Sequence, residues 1–116
     1  MRIAQEEIFG PVLSILAYDD EEDAIRIANG VIYGLAAGVW TRDLNRAFAA
    51  AVRLRAGSVW VNAYRTLSYS MPFGGFKNSG IGREDGFECI PHYTEVKHIA
   101  INLLAEKPEN WCDAPL

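Results

Sequence analysis

Apolar residues gather along the chain in short runs separated by acidic, glycine and proline punctuation. Residues 11–18 (PVLSILAY) are almost continuously apolar, entered at Gly10-Pro11 and closed by Asp19-Asp20, which predicts a strand covered on both faces. A helix is predicted over 20–29. Asp20 can cap it, Glu21, Glu22 and Asp23 complement the positive end of its dipole, and Ala24, Ile25, Ile27 and Ala28 form its apolar side. Asn29-Gly30 is the stop signal. Residues 35–40 (LAAGVW) predict a second buried strand.

A second helix is predicted over 43–55, capped by Thr41 or Asp43. Leu44, Ala47, Phe48 and Ala51 recur at i, i+3, i+4 and i+7, the stripe that faces a core, and Gly57 follows as the stop. Residues 58–62 (SVWVN) predict a third strand. Strand, helix, strand, helix, strand is the order of a mostly parallel α/β sheet with right-handed crossovers. The pattern then breaks. Residues 63–83, rich in glycine, serine and tyrosine, predict a long loop, and a loop of that length in a compact domain is usually functional or a sign of a wrong assignment. A short helix is predicted around 84–91, a strand over 94–103 from its alternation, and a loose, polar tail over 104–116.

The chain has 116 residues, half of them apolar and 22% charged, the balance of an ordinary globular protein. With 11 basic and 15 acidic side chains the net charge is −4, which argues against a polyanion binder and so against nucleic acid as a partner. No apolar run approaches the ~20 residues needed to span a bilayer, and the N-terminus lacks the apolar core of a signal peptide. No membrane partner is expected. Cys89 and Cys112 stand 23 positions apart with no CxxC and no paired histidine, so neither a metal site nor a disulfide framework is expected. Two reduced thiols suit a cytoplasmic protein.

Familiar chemical motifs are missing. There is no GxxxxGK[ST] and no GxSxG, and Gly80-Ile-Gly82 is followed by Asp85 where a third glycine would complete a dinucleotide fingerprint. His92 and His98 are remote in sequence from any serine nucleophile, and Cys89 has no neighbouring histidine to activate it. Two segments stand out. In Glu6-Glu-Ile-Phe-Gly-Pro11 the acidic pair is either plain solvated charge or a carboxylate that accepts two hydrogen bonds from vicinal ribose hydroxyls while a nearby Phe holds a flat ring. In residues 72–84 (PFGGFKNSGIGRE) paired glycines permit close backbone approach, and composition alone favours a glycine-rich turn packed on the sheet.

Together these stretches resemble the NAD(P)-dependent aldehyde dehydrogenase superfamily over about residues 1–103. The resemblance rests on EEIFGPV (6–12), YGLAAGVWTRDL (33–44), AGSVWVN (56–62), PFGGFKNSGIGRE (72–84) and YTEVKHIAIN (93–102), in the family's order. It implies that residues 1–93 are the C-terminal part of an α/β catalytic domain and that 94–103 is a late strand of the oligomerisation region. It also implies roles. Glu7 matches the glutamate on the nicotinamide ribose, and Phe9 the Phe at the nicotinamide end. Asn62, Leu67 and Phe73 fall at the substrate pocket, with Tyr69 and Met71 beside them.

The family's cysteine nucleophile, its glutamate base and its Rossmann-type domain lie upstream of EEIFGPV, so no catalytic residue is assigned to this chain. Two functions are therefore expected. One is a segment of an aldehyde dehydrogenase, whose complete form oxidises an aldehyde to a carboxylic acid with NAD or NADP. Alone, the segment would be inert and would bind no cofactor tightly. The other is a non-catalytic module that forms a homo-oligomer or associates with a full-length dehydrogenase.

Overall fold

The computed structural model describes residues 1–101 and 103. Helix α1 spans Glu21–Asn29. Asp20 starts it by accepting from the Asp23 amide at 2.8 Å, and the Gly30 amide ends it by donating to the Ile27 carbonyl at 3.0 Å. Helix α2 spans Leu44–Arg53. Its cap is Asp43, whose Oδ1 accepts from the amides of Asn45 and Arg46 at 2.8 and 3.1 Å. Thr41 serves the cap indirectly, its hydroxyl accepting from the Asp43 amide at 3.1 Å. The helix stops at Arg53 because Leu54 is already extended, at φ −72° and ψ 124°.

Strands β1, Tyr33–Gly34, and β2, Ala36–Val39, follow α1 closely, and β3, Ser58–Val61, follows α2. β2 and β3 pair in parallel, with Ala36 opposite Ser58 and Val39 opposite Val61. The predicted βαβ crossover is therefore present: β2, then α2, then β3 beside β2. Ala47 on α2 is the residue that packs down onto this pair. At 5% exposure it is the only buried apolar residue larger than glycine among those described.

The remaining expectations need correction. Residues 63–83 are not one loop. Strand β4, Phe76–Lys77, pairs antiparallel with β1, and Phe73 exchanges two 2.7 Å backbone bonds with Glu84. A pairing of two residues flanked by glycines leaves no hydrophobic period to read. The sheet is accordingly two separate pairs, one parallel and one antiparallel, rather than a single mostly parallel sheet.

Neither residues 11–18 nor residues 94–101 form a strand. A strand exists only through its ladder, and no element of the described chain runs beside either segment. Residues 11–18 are tied at Ser14, whose hydroxyl donates to the Ile3 carbonyl at 3.0 Å. The helix expected at 84–91 is a 3-10 segment, Phe87–His92, because Pro91 supplies no amide and Gly86 enters at φ +61°. The tail expected over 104–116, with Cys112, lies outside the described residues. No helix among those described is long and apolar enough to cross a membrane.

The chain exposes 10586 Å². A compact protein of this mass exposes about 6,300 Å². The surplus is apolar in large part: Leu13, Ile15, Val52, Ile81 and Phe87 are each more than four-fifths exposed. Segments patterned for a covered sheet lie bare.

Candidate functional site

The glycine-rich segment is a built scaffold. An ideal Cβ on Gly57 would stand 1.6 Å from the Gly74 carbonyl oxygen, so the 72–84 segment rests directly on the start of β3. Ser79 Oγ accepts from the Gly34 amide at 2.9 Å, and the Asn78 amide donates to the Ile32 carbonyl at 3.0 Å. Arg83 ties the turn internally. Its Nη1 donates to the carbonyls of Gly75 and Gly82 at 3.1 and 2.6 Å, and its guanidinium lies 5.3 Å from the Phe76 ring centroid. The turn-on-sheet expectation from composition is the arrangement found.

Lys77 is the residue that the sequence reading missed. It sits in the left-handed region at φ +52°, and Nζ donates to the carbonyls of Asn29 and Val31, both at 2.9 Å. It thus completes the C-terminal end of α1, where unpaired carbonyls and the helix dipole favour a cation. Its letter gave no signal, since a lysine in a glycine-rich turn reads as solvated.

This scaffold sets the walls of one cleft. A space of about 540 Å³ is bounded by β3, Leu67, Met71, Pro72 and Phe73. Trp60 holds the near wall: Nε1 donates to the Thr66 carbonyl at 2.8 Å, and Tyr64 packs edge-on at 6.0 Å. The Gly86 amide donates to the Tyr69 carbonyl at 3.0 Å, closing the far end of the 65–71 stretch. Leu67 and Phe73 therefore share one cavity, with Met71. Tyr69 points away from it, 93% exposed.

Glu7 and Phe9 lie elsewhere. Glu7 borders two clefts of about 510 and 540 Å³ that also touch Ala28, Val31 and Tyr33. Phe9 is 92% exposed, with its backbone at φ +52°. Neither cleft at Glu7 is bordered by Leu67 or Phe73. Asn62 is not on either cleft. Its Oδ1 accepts from the Thr41 amide at 2.9 Å and its Nδ2 donates to the Thr41 carbonyl at 2.7 Å, a two-bond clamp made from φ +50°. The clamp joins the end of β3 to the turn after β2.

Shifted acids and bases lie on the helix surface. Hydrogen bonding to Arg53 and its charge hold the Glu22 carboxyl below its ordinary range, and Arg26 does the same for Asp23. The Arg53 guanidinium is raised by the same pairing with Glu22. Glu22, Asp23 and Arg53 border none of the clefts at Glu7 or at Leu67 and Phe73, whereas Arg26 lines one at Glu7. Cys89 Sγ faces the Gly86 carbonyl at 3.1 Å, a weak contact that activates nothing. Among the described residues no group of three His, Cys, Asp or Glu side chains is placed to hold a metal ion. The arrangement offers walls, a carboxylate and an aromatic ring.

Residues 1–99 match the sequence profile of the aldehyde dehydrogenase family. A curated relative, betaine aldehyde dehydrogenase 2 of Rhizobium meliloti, is 50% identical over 103 residues, 89% of this chain and 21% of its own length. Among solved structures, an indole-3-acetaldehyde dehydrogenase mutant of P. syringae in complex with NAD+ and IAA superposes with a TM-score of 0.80 at 59% identity. That match covers 84% of this chain and 20% of the other. The Mycobacterium tuberculosis aldehyde dehydrogenase complexed with NAD+ gives 0.78 at 54% identity, covering 82% of this chain and 20% of that one. A Staphylococcus aureus betaine aldehyde dehydrogenase in complex with NAD+ gives 0.86 at 42% identity, covering 97% and 22%. The chain thus spans about a fifth of the length of these relatives.

Proposed function

The chain belongs to the aldehyde dehydrogenase family, and from that membership we propose that it is the segment that walls the substrate funnel and closes the nicotinamide end of the cofactor site. In the complete enzyme the reaction is oxidation of an aldehyde to a carboxylic acid with NAD or NADP. When bound, the nicotinamide cofactor supplies the hydride acceptor. Glu7 and Phe9 are the residues here that would hold it. The fit is sound, because Glu7 is exposed and the Phe9 ring is bare. Both oxygens are available to vicinal hydroxyls, and the ring to a flat heterocycle. Leu67 and Phe73 line the aldehyde's approach as apolar walls, and Asn62 stands at the strand end behind them.

The observation that carries this reading is the pairing of a family match over residues 1–99 with an almost coreless chain. Segments patterned for burial lie exposed, as expected of a part shaped to pack on a larger body. A cysteine nucleophile is not among the matched motifs, so the chain alone is proposed to be inert. Purified chain given a panel of aldehydes with NAD or NADP should yield no reduced cofactor, and calorimetric titration with NAD should show no micromolar binding. Sustained turnover or tight stoichiometric binding would refute this.

A second reading is favoured by the same bare apolar surface: a non-catalytic module that associates with a full-length dehydrogenase or with itself. Exposed segments with a strand pattern, such as 94–101, are offered here as the surface that takes a partner. Co-purification with a full-length dehydrogenase, or a defined homo-oligomer, supports this reading. A monomeric, partly unfolded chain counts against it.

A further inference from the structure

Asn29-Gly30 is the chain's single Asn-Gly dipeptide, and it lies at the joint where three elements meet. The Asn29 side chain bridges from the end of α1 to the end of α2. Nδ2 donates to the Arg53 carbonyl at 2.9 Å, and Oδ1 accepts from the Arg55 amide at 2.8 Å. The main chain on either side is held as well. The Gly30 amide donates to Ile27 at 3.0 Å, and Lys77 Nζ holds the carbonyls of Asn29 and Val31.

An asparagine before glycine is chemically exposed, because a residue without Cβ lets its own nitrogen reach the preceding side chain. The Gly30 nitrogen attacks Asn29 Cγ, losing its proton as the N–C bond forms. The Cγ–Nδ2 bond breaks and ammonia leaves. Water then opens the five-membered imide to aspartate or isoaspartate. No electron changes hands, and water is the only co-reactant. In the folded chain this attack is blocked three times over. The Gly30 N–H is committed to Ile27, and both ends of the amide are pinned across to α2.

We propose that Asn29 is a deamidation site gated by the joint between α1 and α2. While the joint is closed the site is protected. When α1 lifts from α2, both side-chain bonds of Asn29 are released in the same movement, and once the last turn of α1 frays to free the Gly30 amide the site reacts. The product keeps the joint from re-forming as before. An aspartate replaces the Nδ2 donor with an acceptor facing the Arg53 carbonyl, and an isoaspartate also lengthens the main chain between α1 and β1. The site is thus a slow, irreversible record of local opening, independent of the proposed enzymatic role.

Mass mapping of the intact chain, incubated at mildly alkaline pH beside a free peptide of residues 25–35, tests this. The chain should deamidate at Asn29 at least about tenfold more slowly than the peptide, with urea abolishing the difference. Equal rates in the chain and the peptide would overturn the proposal. The consequence is tested separately by amide exchange in Asn29→Asp. The Arg55 amide should exchange roughly tenfold faster than in the unsubstituted chain. An unchanged rate would overturn the claim that modification opens the joint.

Discussion

The Gly74 carbonyl oxygen occupies the space that a side chain on Gly57 would need, 1.6 Å from the ideal Cβ position. Two motifs separated in sequence are locked together by that approach. Gly57→Ala must push the 72–84 segment off β3, and thermal melts should show a loss of about 1–3 kcal/mol. Gly10→Ala is the control: nothing lies within 4 Å of its added methyl, and stability should stay within about 0.5 kcal/mol.

Lys77→Met keeps the length of the side chain and removes its charge. The carbonyls of Asn29 and Val31 lose a part-buried cationic donor. Urea unfolding should report a loss of about 2 kcal/mol, with the end of α1 fraying first. Unchanged stability would show that water replaces the ammonium there at no cost.

Asn62→Ala removes both bonds to Thr41 and leaves a non-glycine residue at φ +50°. Asn62→Gly removes the same bonds and relieves the backbone. The glycine variant should therefore be the more stable of the two by about 1 kcal/mol, both falling below the parent. In a complete enzyme the clamp predicts a loss of stability before any change in substrate KM.

The pairing of Glu22 with Arg53 sets the acid limb of stability. Its carboxyl titrates lower in the folded chain than in the unfolded one, so as pH falls through the ordinary carboxylate range the unfolded chain binds the proton first. The contribution is whole at neutral pH and is lost below that range. Glu22→Gln should flatten this limb. Because both partners are exposed, the effect should be small and should shrink further with added salt.

How far the letters carried the fold depended on whether each element closes within the chain. Asp20 and Asp43 were readable as caps because capping is local, and the β2–β3 pair because its crossover helix lies between the two strands. Residues 11–18 and 94–101 carry strand patterns just as clear, yet pair with nothing among the described residues. β4 was invisible for the opposite reason. Its pairing is set by glycines that let two backbones meet, which leaves no apolar period. At the site, Leu67 and Phe73 border one cavity, and Asn62 clamps the Thr41 backbone, a contact that no local pattern announces. For Glu7 and Phe9 the residues allowed a ribose contact and a ring contact, and the resemblance is what chose those roles over plain solvated charge.

The central claim is that this chain supplies walls and a cofactor contact but not the reacting groups. The direct test is aldehyde-dependent formation of reduced cofactor by the chain alone, and by the chain joined in frame behind the upstream, cysteine-bearing portion of a family member. The chain alone should give none. The joined protein should turn over, and Glu7→Ala within it should lower kcat/KM for the cofactor by about tenfold or more through the lost charge-assisted bonds. Turnover by the chain alone, or full activity of the Glu7→Ala protein, would contradict the account.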